Sequence, residues 1–106
     1  MAKHSGFGGG NMQSMIRQAQ KMQEQMTKAQ AELAETEVVA SAGGGLVEVT
    51  MTGAKKIIGI TIKPEAVDPD DVEMLEDLII AAINDASAQV EELSAEIMGP
   101  YASLLG

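Results

Sequence analysis

The sequence contains no cysteine and a single histidine, His4. The first absence excludes disulfides, thiol nucleophiles and thiolate-bound metals, and the second leaves no histidine cluster for a metal and little material for acid–base catalysis. Aromatic residues make up 2% of the chain, Phe7 and Tyr101 alone, so the stacking platforms that hold single strands or splayed RNA bases are missing too. The longest uninterrupted apolar run, Leu78 to Ile83, is far shorter than the ~20 residues a membrane-spanning helix needs. Residues 1–10 are rich in glycine and lack the apolar stretch of a secretory signal, which makes a cytoplasmic protein without a membrane partner the expectation. They also lack the strand before and the Gly-Lys-Ser/Thr after that a phosphate-cradling loop requires. A flexible tail over 1–10 is therefore expected, followed by a single domain over 11–106.

What is present fits one small folded unit: 106 residues, 45% of them hydrophobic. The formal charge of -9 excludes a polycation that coats nucleic acid through net charge alone. That charge is unevenly placed. Residues 1–31 carry Lys3, Arg17, Lys21 and Lys28 against Glu24, whereas residues 64–106 carry eleven acids and no base. Any surface for an anionic partner is accordingly local, and it lies near the N-terminus.

From Asn11, read as an N-cap, to about Glu35, no Gly or Pro interrupts a run of strong helix formers, and this predicts one long helix. Its apolar residues, Met12, Met15, Ala19, Met22, Met26, Ala29 and Leu33, keep the alternating three-and-four spacing of a heptad seam. Glycines then separate three β-rich runs. Val47, Val49 and Met51 alternate with Glu48, Thr50 and Thr52, and Ile58, Ile60 and Ile62 alternate with Ile57, Gly59 and Thr61, as in a half-buried antiparallel meander that Pro64 closes. Asp68 followed by Pro69 reads as the cap and first position of a second long helix, with Gly99 and Pro100 as its stop. Val72, Leu75, Ile79, Ala82, Ile83, Ala86, Val90, Leu93 and Ile97 form its apolar stripe. The fold class is α+β: a long N-terminal helix, a three-stranded antiparallel meander and a long C-terminal helix.

Helices of this length outrun the body they pack on. A compact chain of 106 residues has a radius of gyration of ~13 Å, whereas thirty helical residues span ~45 Å. The overhanging seam, with Met15, Met22, Met26 and Leu33 as its dimerisation residues, calls for a second copy in a twofold homodimer.

On the opposite side of the first helix, Gln13, Arg17, Lys21 and Lys28 are spaced by four, four and seven residues and form one stripe, with Gln20 beside it. Arg17 to Lys28 covers ~16 Å along the axis, enough for several phosphates of a duplex that offers one charge per ~1.7 Å. The glutamine amides supply donors for phosphate or base edges. The residues alone leave two readings open: a surface for double-stranded DNA, or a solvated helix on which Glu24 pairs with Lys21 and Lys28. The methionines add a third possibility of a different class, a helical scaffold or adaptor whose partner is protein. Catalysis has no nucleophile–base pair to support it, so neither an enzyme nor a small-molecule substrate is expected. Asp68, Asp70, Asp71 and Glu73 lack the central glycine and distal glutamate of a calcium loop and read as helix caps, so no metal or cofactor is expected either.

Several segments carry a family resemblance: Asn11-Met12, then Ile16-Arg17-Gln18-Ala19-Gln20-Lys21-Met22-Gln23, Gly44-Gly45-Leu46-Val47, Thr52-Gly53, and Asp71-Val72-Glu73-Met74-Leu75-Glu76-Asp77-Leu78. In order and spacing this resembles the YbaB/EbfC family of bacterial nucleoid-associated DNA-binding proteins over about residues 11–99. The resemblance implies a small tweezer-shaped homodimer in the cytoplasm and nucleoid. Its protruding helices would grip duplex DNA, organise the nucleoid and influence transcription. It favours DNA for the Gln13, Arg17, Gln20, Lys21 and Lys28 stripe. The acidic second helix departs from that picture as a gripping arm, because Glu91, Glu92 and Glu96 repel phosphate.

Overall fold

The computed structural model describes the backbone of residues 2–102 and the side chains of residues 11–102. Helix α1 (Ala2–Glu35) leads into strands β1 (Glu37–Ala42), β2 (Val47–Thr52) and β3 (Ile57–Ile62). A 3-10 turn at Pro64–Ala66, helix α2 (Val72–Met98) and a second 3-10 turn at Gly99–Tyr101 complete the order. The expected α+β architecture is present, with α1 beginning at Ala2 rather than at Asn11. Once a long helix is nucleated each added residue gains a hydrogen bond, and the glycines of the first turns weaken this propagation without stopping it.

The sheet is a meander in the order β1-β2-β3, antiparallel throughout. Val47, Val49 and Met51 point inward and are buried, while Glu48 between them is exposed. They pack with Ala40 of β1 against Ala82, Ala86 and Val90 of α2, and these form the core. Alanine at 82 and 86 brings the helix backbone close to the sheet, so that even β-branched valines lose all contact with water.

The β1–β2 turn needs three consecutive left-handed residues, Gly43, Gly44 and Gly45, at φ 64, 67 and 94°. Only glycine adopts that run without strain. In the β2–β3 turn Lys55 takes the left-handed role at φ 62°. Its ammonium group reaches Glu91 of α2 at 2.9 Å and ties that turn to the helix.

Gly53 joins α1 to the sheet. Its N–H donates to the Thr36 carbonyl at 2.8 Å, and a Cβ built there would overlap the Leu33 carbonyl oxygen. Thr36 ends α1 by donating from both its N–H (3.1 Å) and its hydroxyl (2.7 Å) to the Glu32 carbonyl, which satisfies one of the orphan acceptors of the last turn.

Two further expectations are corrected. The cap of α2 is Asp71, whose carboxylate accepts from the Met74 N–H at 3.2 Å. Asp68 instead accepts from the Asp70 N–H at 2.9 Å in a turn that contains Pro69. That turn fixes the chain direction three residues before the helix begins. Strand β3 was expected to be half buried, yet all six of its residues are exposed. Helix α2 lies over β1 and β2 and leaves this edge strand largely uncovered.

Dimensions of 86 × 19 × 16 Å and a radius of gyration of 22.9 Å describe a rod rather than a globule. The body occupies one end. The N-terminal part of α1 forms the other, as the overhang argument requires.

Candidate nucleic-acid interface

At 100° per residue, Arg17, Lys21 and Lys28 fall within about 40° of one another around α1, and Gln13 and Gln20 lie together along one side of them. All five side chains are exposed. Arg17, Gln18, Gln20, Lys21 and Glu24 line a shallow surface trough. Among the described residues the single ion pair is Lys55–Glu91, so Arg17, Lys21 and Lys28 carry no carboxylate partner even though Glu24 lies close by in the stripe. Pairs from Glu24 to Lys21 and Lys28 do not form among the described residues, which leaves the three cations in contact with solvent.

The expected dimerisation residues are split by the fold. Leu33 is 9% exposed and lies against Gly53 of its own chain. Met26 is half-buried, whereas Met15 and Met22 stand exposed, and a groove along this side of α1 is lined by Met15, Gln18, Ala19, Met22, Gln23 and Met26. The apolar side of α1 thus has a base packed against the body of its own chain and a tip in solvent. The basic stripe lies roughly half a turn away, so cations and methionines face opposite directions.

The acids near α2 are accounted for structurally. Asp68 and Asp71 spend their oxygens on backbone N–H groups, and Glu91 meets Lys55. Glu92 and Glu96 are exposed and unsuited to phosphate. Sequence reasoning passed over Gly53 and Lys55, which set the joint between α1, the sheet and α2. The Thr52-Gly53 pair marked a turn, but nothing in it showed that a helix end rests on the glycine.

Comparison with known proteins adds three findings. The sequence profile of the YbaB/EbfC DNA-binding family matches residues 8–105. Similar chains include a nucleoid-associated protein of Acetivibrio thermocellus, 59% identical over 93 residues, which are 87% of this chain and 81% of that one. Another nucleoid-associated protein, from Agathobacter rectalis, is 51% identical over 109 residues, 100% of this chain and 96% of that one. A crystal structure of an uncharacterized protein from Helicobacter pylori shares the fold at a TM-score of 0.68 and 21% identity, with 87% of this chain and 94% of that one covered. An exposed basic stripe on a projecting helix, a three-stranded meander below it and a match across nearly the whole chain agree: this chain belongs to the YbaB/EbfC DNA-binding family.

Proposed function

We propose that this chain is a non-enzymatic nucleoid-associated protein that binds duplex DNA as a homodimer with little sequence specificity, organising the nucleoid and influencing gene expression. The observation that carries the reading is the stripe of Arg17, Lys21 and Lys28, exposed and without carboxylate partners on an arm that stands clear of the body. Cations spaced along one face of a rod match phosphates along a groove. The shortage of aromatics favours backbone contact with a duplex over base stacking, which keeps sequence preference small. The length of α1 beyond the sheet and its exposed methionines support association with a second copy.

Duplex titrations at several salt concentrations test this reading. Six cations in the dimer, three from each chain, give a slope of log K against log salt of about -5. Lys21→Ala changes both chains and should flatten that slope by about 2 on unrelated duplexes alike. Gln13→Ala and Gln20→Ala should leave it nearly intact and shift preference among sequences if either amide reads a base edge. A variant with Arg17, Lys21 and Lys28 all changed to alanine that stays dimeric and binds with unchanged affinity and slope would remove α1 as the grip. The Met15–Met26 groove favours a second reading, a protein-binding scaffold without direct DNA binding, and that reading predicts that the parent chain shows no salt-dependent duplex binding at all.

A further inference from the structure

Oxidisable sulfur in this chain is confined to methionine, because there is no cysteine to intercept an oxidant first. Met12, Met15, Met22 and Met26 share one side of α1. Their exposure grades along the arm. Met12 and Met15 are 64% and 66% exposed, Met22 is 43% exposed and Met26 is half-buried, whereas Met51 in the sheet and Met98 at the end of α2 are buried. The fold thus sorts one residue type into thioethers that a small polar oxidant reaches freely and thioethers that it reaches only when the core opens.

The reaction asks nothing of the protein except access. A thioether sulfur gives an electron pair to one oxygen of a hydroperoxide and the O–O bond breaks. The departing hydroxide takes the proton of the transferred oxygen and leaves as water. Sulfur is oxidised by two electrons to the sulfoxide, and the peroxide is reduced by two.

The arm is the part of the molecule least able to absorb that change. Every side chain from Asn11 to Gln25 is exposed, so this stretch of helix rests on local propensity and on apolar pairs three and four residues apart. Unoxidised methionine is a good helix former, and the spacings Met12–Met15 and Met22–Met26 supply such pairs. A sulfoxide is polar. Its oxygen is a strong acceptor for water and for nearby backbone N–H groups, the same competition that makes serine and asparagine poor residues in a helix interior.

The basic stripe shares this backbone. Arg17 lies between Met15 and Met22, and Lys21 is next to Met22, whereas Lys28 lies beyond Met26 toward the body. We propose that Met12, Met15 and Met22 form a peroxide-modified site whose oxidation to sulfoxides loosens the exposed arm and withdraws Arg17 and Lys21 from DNA while Lys28 keeps its place. The withdrawal rests on the reading of α1 as the grip, and the modification and the loosening do not. The hold on a duplex then falls under oxidising conditions without any thiol, and it returns when the sulfoxides are reduced.

The test treats the full chain with hydrogen peroxide and follows three quantities. Mass mapping of peptides is expected to find added oxygen first at Met12 and Met15, then at Met22, with Met51 and Met98 unmodified. Circular dichroism should show a partial loss of helical signal. The slope of log K against log salt for duplex binding should flatten from about -5 toward about -2, the value that Lys28 from two chains supports alone. Enzymatic reduction of the sulfoxides should restore both signal and slope. A variant with Met12, Met15 and Met22 all changed to leucine, compared with itself before and after peroxide, should change in neither. Oxidation of Met51 and Met98 as fast as Met15 overturns the sorting by the fold. Oxidation confined to the arm with an unchanged helical signal overturns the loosening, and a loss of helix with an unchanged slope overturns the withdrawal. A leucine variant that responds to peroxide as the parent does overturns the assignment to these three residues. An untreated chain that does not bind duplex DNA overturns the grip and the withdrawal together, and the peptide map and helical signal still decide the other two steps.

Discussion

Helices α1 and α2 are both long and both carry apolar stripes at helical spacing, yet one stands largely in solvent and the other holds the core. The stripe of α2 contains Ala82, Ala86 and Val90, small or compact residues that settle onto β1 and β2. That of α1 contains Met15 and Met22, which remain exposed, and reaches a buried contact only at Leu33 near its end. Periodicity therefore fixes which side of a helix is apolar and leaves open whether anything covers it. A six-residue strand is about 20 Å long, so the sheet covers only about half of a 27-residue helix of ~40 Å and little of one of 34 residues.

Substitutions at the joint, in the two stripes and at the cap probe this contrast. The largest effect is expected at Gly53, where the group in the way is the backbone of α1 and cannot rotate aside. Gly53→Ala should cost about 3 kcal/mol through overpacking and loss of the bond to Thr36, read as a lower midpoint in denaturant. Next comes one direct exchange made on both helices. Ala86→Leu crowds a fully buried site and should cost about 1–3 kcal/mol, whereas Ala19→Leu on the exposed arm should stay within about 0.5 kcal/mol. Equal losses at both positions would mean that the arm is packed as tightly as the core. The smallest is the cap: Asp71→Ala should cost about 1 kcal/mol, and Asp68→Ala less, because only Asp71 accepts from the first turn of α2.

Much of this arrangement was legible in the residues. Alternation in Val47–Thr52 identified the inward face of β2, the triple glycine marked its turn, and the spacing from Leu75 to Val90 marked the core side of α2. The errors have a common physical origin. Whether Asp68 or Asp71 caps α2 depends on a turn only three residues long, and both carry the same side chain. In β3, alternation separated two faces but carried no information about where α2 stops. Leu33 shares the heptad spacing of Met22 and Met26, and only the approach of Gly53 shows that it packs within its own chain. As for the basic stripe, its spacing was readable from the start, whereas the absence of a carboxylate beside Lys21 and Lys28 required coordinates.

The division of charge between the helices bears on how the molecule meets a polyanion. With a net charge of -9, the chain is repelled by DNA at long range, and it has its positive end on α1 and most of its acids on and around α2. Approach is then selective for orientation: a molecule that turns its acidic body toward the duplex is pushed back, and one that leads with its arm is drawn in. At 0.1 M salt, screening over ~10 Å hides the distant acids while a cation in contact still feels a phosphate. On the proposed reading, in which α1 is the grip, added salt should speed the first encounter by screening the acidic body even as it shortens the bound lifetime.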